Sequence, residues 1–312
     1  MRGLKQMKDM RRLEVPPEKD VFERGSRSLV RAFEVTREEV RRVQTERPEL
    51  VVSRDDGVML LQPKRNRAWL CYGFSNLDAL RREFKPVFEK LVAALKTGEA
   101  TRGIFLWFAD HPNRPYVEPV LVDCFFELRH EWMEMGLARL PEDTAPTDEI
   151  APGFVLRRAS PAEQEAAGAI DVAAFADEAW QVADFVDAAR EASEFRVLEE
   201  RDGARIVGYI GLWLEEGRVG KIDLLGVHPD FRRRGLAETM LRWSLAWFRG
   251  QGMRRARLTV HTDNAAAIAL YRKLGFTHHR SGLTYRRPTD ERELAEMAQK
   301  RKGTYVKFGD WR

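Results

Sequence analysis

The chain reads as a mixed α/β protein in two tandem halves, each a mostly antiparallel sheet flanked by helices. Three observations predict this. Its 312 residues suit two ordinary domains better than one. Short apolar runs bounded by turn residues alternate with longer stretches of helical spacing, so strands and helices interleave. The order of elements in the first half also returns in the second, with Phe126 and Phe276 standing 150 residues apart at matching points.

The first half begins with a polar arm over residues 1–26, interrupted by Pro16-Pro17. Ser28 to Arg47 has helical spacing, with Leu29, Phe33, Val40 and Val43 as candidate core positions. Leu50–Val52, Val58–Gln62 and Ala68–Phe74 are short strands separated by the turns Asp55-Asp56-Gly57 and Pro63-Lys64. Asn76–Lys96 is an amphipathic helix that places Leu77, Leu80, Phe84, Phe88, Leu91 and Leu95 on one side. Gly103–Phe108 reads as a buried strand. A proline-rich loop from Pro112 to Pro119, a short helix and a strand over Phe126–Met135 complete this half.

The second half opens with a strand over Phe154–Arg158 and helices over Pro161–Phe175 and Gln181–Ser193. Strands Phe195–Glu200, Arg205–Leu214 and Lys221–Val227 come next. A basic, glycine-containing loop then leads into an amphipathic helix from Leu236 to Phe248. Arg254–His261 is a strand, Ala265–Leu274 a helix and Phe276–Arg287 the closing strand. Thr144–Pro152, rich in Pro, Thr and Asp, marks a linker, so the expected division is 1–145, a linker over 146–153, and 154–287. Residues 288–312 form a charged helix from Glu291 to Lys302 and a tail in which Tyr305-Val306-Lys307-Phe308 suits an edge strand or a crossing onto the first half. An unrelated α+β first domain is the competing account of residues 1–145, because element order is a loose criterion.

Composition narrows the function. Hydrophobic residues make up 44% and charged residues 33%, which supports a packed core rather than disorder. Fifty-three Lys+Arg against 49 Asp+Glu leave a formal charge of +4, and the pI is near 9.1. Acids interleave with the arginines along the helices, so solvated helix faces explain the basic balance better than a nucleic-acid surface does. Cys71 and Cys124 are too few for a disulfide framework, and no metal-ligand spacing occurs. No apolar run is long enough to span a bilayer and the basic N-terminus lacks a signal-peptide pattern; the expected location is the cytoplasm.

The richest stretch is Val227-His228-Pro229-Asp230-Phe231-Arg232-Arg233-Arg234-Gly235-Leu236-Ala237. A strand, a basic loop and a helix start aim free backbone N–H groups at one point, and the helix dipole adds partial positive charge. An anion such as a pyrophosphate is the natural occupant, and Gly235 lets it approach the backbone. Neither a G-x-x-x-x-G-K-[ST] loop nor a G-x-G-x-x-G strand–helix turn is present. Arg232, Gly235 and Ala237 instead spell R-x-x-G-x-A, which resembles the signature of the GNAT superfamily of acyl-CoA-dependent N-acyltransferases. Upstream, Leu224-Leu225-Gly226-Val227-His228-Pro229 is similar to the family's fourth strand. Downstream, the run from Asn264 to Phe276 matches N-x-x-A-x-x-x-Y-x-x-x-G-F at Asn264, Ala267, Tyr271, Gly275 and Phe276.

The resemblance implies a splayed central edge in each sheet and acetyl-CoA as cosubstrate, with no metal. Leu225, Gly226 and Val227 would pair through their backbone with the pantetheine arm, as one more strand. Backbone amides of Arg233, Arg234, Gly235, Leu236 and Ala237 would hold the pyrophosphate, aided by the charges of Arg232 and Arg234. Tyr271 would be the general acid for the departing thiolate, since a phenol stays neutral at physiological pH; the bland alternative is a core tyrosine. Asn264 would cap its helix, bond the cofactor, or do both. Asp223 stands where many relatives carry a proton-accepting carboxylate; an ion pair with Lys221 or an arginine is the competing account. Two residues before Leu225 in a regular strand, it would share that residue's face. His228, His261, His278 and His279 are expected to be structural or exposed, and Glu238 suits the helix dipole.

Similar tandem proteins pair one active half with a degenerate one. Here the first half departs from the pattern: Ser75-Asn76-Leu77 follows Phe74 directly, with no R-x-x-G-x-A, and prolines interrupt Pro115–Asp123. It is not expected to hold CoA in the usual way. Direct attack by a primary amine on acetyl-CoA in a ternary complex is the implied reaction, with a non-catalytic acyl-CoA-binding regulator as the alternative. The acceptor is a small-molecule or peptide amine; Asp177, Glu178 and Trp180 would suit a cationic one. No nucleic-acid or membrane partner is expected, and the chain is a monomer or a homodimer.

Overall fold

The structure, a computed structural model, describes residues 21, 28, 30–32, 35–64, 66–96, 98–100, 102–109, 113–142, 149–175, 182–203 and 205–308. The chain forms two compact units, one of residues 1–130 with 282–312 and one of residues 131–281. This division differs from the expected boundaries at 145 and 154, because two strands exchange. The chain leaves the first unit within β6 (Glu127–Leu137) and returns within β13 (Thr277–Arg287).

In the first unit, β1 (Val30–Ala32), β2 (Val51–Arg54), β3 (Gly57–Lys64), β4 (Arg67–Phe74) and β5 (Ile104–Ala109) build the sheet. Residues 282–287 of β13 pair antiparallel with β5, Leu283 opposite Phe108 and Arg287 opposite Ile104. Helix α1 spans Arg37–Glu46, α2 Leu77–Ala93 and α3 Arg114–Asp123. The apolar stripe of α2 (Leu80, Phe84, Phe88, Leu91) and Val117 and Leu121 of α3 close one core with Leu70, Tyr72, Leu106 and Phe108 of the sheet.

Three expectations are corrected here. Ser28–Arg47 is not one helix: Val30 and Ala32 alternate into the core as a strand, and the helix starts only at Arg37. Thr36 sets that start with a capping box, its hydroxyl accepting from the Glu39 N–H while the Glu39 carboxylate accepts from the Thr36 N–H. Val40 and Val43 are buried as expected, whereas Leu29 and Phe33 lie outside the described residues. The proline-rich stretch is helical from Arg114, since Pro115 occupies the first turn, where a missing N–H costs nothing. The charged C-terminal helix, α8 (Glu291–Phe308), runs through Tyr305–Phe308 in place of an edge strand.

In the second unit the sheet order is β6, β12 (Arg255–His261), β11 (Val219–Val227), β10 (Arg205–Glu215), β9 (Glu194–Glu200), β8 (Phe154–Arg158) and β7 (Glu149–Ala151). Helices α6 (Leu236–Gly250) and α7 (Ala265–Lys273) cover one face through Leu236, Met240, Phe248, Ile268 and Tyr271. On the other face α4 (Pro161–Phe175) and α5 (Val182–Glu191) pack Ile170, Phe185 and Ala189 against Val197, Tyr209 and Leu224.

The two units repeat one plan. Among the described pairings, only β4 with β5 and β11 with β12 are parallel. Helices α3 and α7 end alike: Phe125 and Gly275 both have positive φ, 62° and 89°. The N–H groups of Phe126 and Phe276 close the same turn onto the carbonyls of Leu121 and Tyr271, each at 3.0 Å.

Candidate active site in the second unit

The site grows from a mismatch between β10 and β11. Their ladder is regular from Gly208 opposite Val227 to Gly211 opposite Leu224, then jumps so that Leu212 faces Ile222. Asp223 is the extra residue of this bulge. A bulge turns the strand, and side-chain parity changes across it: Ile222 enters the core under α6, while Leu224 enters the one under α4 and α5. Asp223 and Leu225 therefore do not follow the regular-strand rule. Asp223 is exposed, and its carboxylate lies 2.9 Å from the Lys221 ammonium.

The same bend opens the sheet. β11 and β12 pair in parallel from Val219 with Arg255 to Ile222 with Leu258 and no further. Beyond that point β12 keeps pairing with β6, Thr259 opposite Glu134 and His261 opposite Trp132. From Asp223 to Val227, no strand among the described residues occupies the β12 side of β11. Leu225 and Val227 thus turn their backbone groups toward the gap, the Val227 carbonyl also accepting from Arg232, whereas Gly226 between them pairs with Tyr209 of β10. Gly226 is obligatory for a second reason: a Cβ there would lie 2.4 Å from the Tyr209 ring.

Tyr209 and Asp171 were not singled out from sequence. The buried Tyr209 hydroxyl donates to the Asp171 carboxylate at 2.5 Å, and Asp171 is only 3% exposed. Burial, and then the Asp171 charge, pushes the phenol pKa well up. The available signal was Asp171 itself, an acid set among alanines and Ile170 in α4.

The basic loop folds back on the strand end. The His228 N–H donates to the Val207 carbonyl at 2.8 Å, and Pro229–Phe231 form a single 3₁₀ turn. Phe231 is buried beneath two guanidinium groups, those of Arg205 at 4.4 Å and Arg234 at 4.7 Å. Arg232 reaches in the opposite direction, Nε to the Val227 carbonyl at 3.2 Å and Nη2 to the Ala174 carbonyl at 2.8 Å. It ties the end of α4 to the splayed strand. Arg233 and Gly235 have φ of +62° and +77°, which turns successive N–H groups toward one side. Gly235 is the N-cap of α6 and supplies no side chain to its first-turn donors, and nothing stands within 4 Å of where its Cβ would be. Leu236 is buried, so only its backbone faces that mouth, and Ala237 is half-buried.

Helix α7 starts with Asn264, whose Oδ1 accepts from the Ala267 N–H at 3.1 Å, so the capping role is realised. Tyr271 is 9% exposed, its ring 6.1 Å from that of Phe276, and burial pushes its pKa up to about 12. Glu238 bridges Arg242 at 2.9 Å and Lys273 at 2.6 Å, joining the first turn of α6 to the end of α7. On the strand face away from α6, Arg257 bonds Glu215 at 2.6 Å and Glu134 at 2.7 Å, and Arg280 stands 3.4 Å from Glu134. His278 and His279 are exposed, and His228 and His261 are half-buried. Asp177, Glu178 and Trp180 lie outside the described residues. Among the described residues there is no group of three or more His, Cys, Asp or Glu side chains set to hold a metal.

Residues 161–276 match the model of the acetyltransferase (GNAT) family. The chain is 39% identical over 95 residues to a mycothiol acetyltransferase of Streptomyces coelicolor, a match covering 30% of each chain. It is 30% identical over 207 residues to a mycothiol acetyltransferase of Streptomyces bingchenggensis, covering 61% of this chain and 65% of the relative. The chain therefore spans under a third of the first relative's length and just under two thirds of the second's. A GCN5-related N-acetyltransferase from Sphaerobacter thermophilus has a similar fold, with a TM-score of 0.59 at 17% identity over 82% of this chain and 88% of that one.

Proposed function

We propose that the chain, whose residues 161–276 match the model of the acetyltransferase (GNAT) family, moves an acetyl group from acetyl-CoA to a primary amine by direct attack within the second unit. The observation that carries this reading is the β11 edge from Asp223 to Val227, which no strand among the described residues pairs on the β12 side and which leads to a helix mouth with no side-chain cap. Pantetheine is an amide chain, so it pairs with Leu225–Val227 as an added strand. The pyrophosphate then lies over the N–H groups of Arg233 to Ala237, with the α6 dipole behind them. Arg233, exposed and left-handed, supplies charge at that mouth, whereas Arg232 and Arg234 shape the loop.

In the reaction the amine nitrogen bonds to the thioester carbon, the C–S bond breaks, the nitrogen loses one proton and the sulfur gains one. Tyr271 stays protonated throughout the physiological range and donates to the sulfur as it leaves. Asp223, exposed beside Lys221 at the mouth of the gap, takes up the amine proton directly or through water. Asn264 keeps its Nδ2 for the cofactor while Oδ1 caps α7. The acceptor is a small-molecule amine, and one related to mycothiol, as in the names of the relatives, is the first to test.

Free-thiol release from acetyl-CoA across an amine panel is the deciding experiment. Turnover with one amine class is expected; calorimetric binding of acetyl-CoA with no thiol from any amine would leave only the regulatory alternative.

A further inference from the structure

The first unit has its own splay, and the chain itself fills it. β4 and β5 pair in parallel at Ala68 with Ile104 and Trp69 with Phe105, and then part. β3 occupies one edge of β4 along its whole length. The other edge carries β1, antiparallel, with Val30 opposite Phe74, Arg31 opposite Gly73 and Ala32 opposite Tyr72. Tyr72 stands three residues after the last parallel pair, as Leu225 does in the second unit, so Tyr72–Phe74 are the counterparts of Leu225–Val227. Val30 and Ala32 are 2% and 4% exposed and belong to the main core of the unit.

Two further differences point the same way. The helix after β4 has its first-turn donor satisfied internally, the Ala79 N–H donating to Asn76 Oδ1 at 2.8 Å, where the second unit leaves Gly235 bare. Leu121, fully buried, holds the place of Tyr271, since each accepts the equivalent turn-closing hydrogen bond.

We infer that residues 30–32 are a built-in stand-in for a pantetheine arm, sealing the first unit so that each chain binds one acyl-CoA, in the second. A peptide strand and a pantetheine arm use the same backbone groups of β4. The tethered strand holds them at high effective concentration, and its two apolar side chains fill the slot. The count of one rests on the acyl-CoA reading above; the seal does not.

Hydrogen–deuterium exchange on the full chain, with and without acetyl-CoA, separates the two claims. Peptides covering 30–32 and 72–74 are expected to exchange about 100-fold slower than unstructured chain in the free protein and to be unchanged by acetyl-CoA. Those covering 225–227, where only Gly226 is bonded to β10 in the free protein, are expected to slow further on its addition, with a calorimetric stoichiometry of one. Fast exchange at 30–32, new protection at 72–74 on adding acetyl-CoA, or a stoichiometry of two would overturn the seal. Slow exchange at 30–32 with no response at 225–227 would keep the seal and reject the acyl-CoA reading. Ala32→Asp places a carboxylate in the slot and is expected to speed exchange at 72–74 at least tenfold while 225–227 still respond to acetyl-CoA; unchanged protection there would also count against the seal. If that variant does not fold, the wild-type exchange pattern decides alone.

Discussion

The Tyr209 ring lies directly beneath Gly226, and its hydroxyl is anchored to Asp171 in α4, so the splayed strand rests on an aromatic plate that cannot easily move. Gly226→Ala would force a methyl group to within 2.4 Å of that ring. We expect a loss of about 2 kcal/mol, typical of overpacking, together with weaker acetyl-CoA binding as the strand is displaced. Thermal unfolding and calorimetry on the same preparation test both; a variant of wild-type stability would show that the ring yields.

Gly235→Glu should abolish acetyl-CoA binding. The substitution puts a side chain and a negative charge at a left-handed N-cap that now stands open. Calorimetry reads the outcome, and unchanged affinity would remove the loop from the site.

Tyr271→Phe should lower turnover by about 100-fold or more, as removal of a general acid does, while acetyl-CoA affinity changes little. Steady-state kinetics beside direct binding separates the two, and equal turnover would leave Tyr271 as a core residue only.

The same residue predicts an alkaline effect. Its folded pKa, about 12, exceeds the ordinary value of 10 because burial favours the neutral phenol. Its contribution is therefore complete below pH 10 and is lost as pH rises from 10 toward 12, since the unfolded chain releases the proton first. Against Tyr271→Phe, the wild type should lose about 2–3 kcal/mol more over that window, measured by denaturant unfolding at each pH.

Glu134→Ala should cost about 1.5 kcal/mol, the scale of a lost hydrogen bond to a charged group, because Arg257 keeps its bonds to Glu215. Glu134 is 6% exposed and sits on the part of β6 that belongs to the second unit. Chemical denaturation checks the value, and a change below about 0.5 kcal/mol, the scale of an ordinary surface substitution, would show that the network is dispensable.

Most strands and helices are legible in the sequence because their causes are local. The stripe of α2, the Asn264 cap and the left-handed Gly235 each depend on residues within a few positions of one another. Val30–Ala32 was not legible: its helical spacing is accidental, and it becomes a strand only because β4 offers an unpaired edge. The Asp171–Tyr209 contact joins residues 38 positions apart and leaves no local trace beyond an acid among alanines.

What the sequence by itself determined is the order of elements, the basic loop and the spacing from Asn264 to Phe276, because turn, cap and side-chain periodicity act over a few residues. Tertiary structure alone decided that Asp223 is a bulge, that β6 and β13 trade units, and that β1 closes the first splay. Each of these is a choice of partner between strands far apart in the chain. A strand's alternation says which side is buried, but not which neighbour will accept its hydrogen bonds.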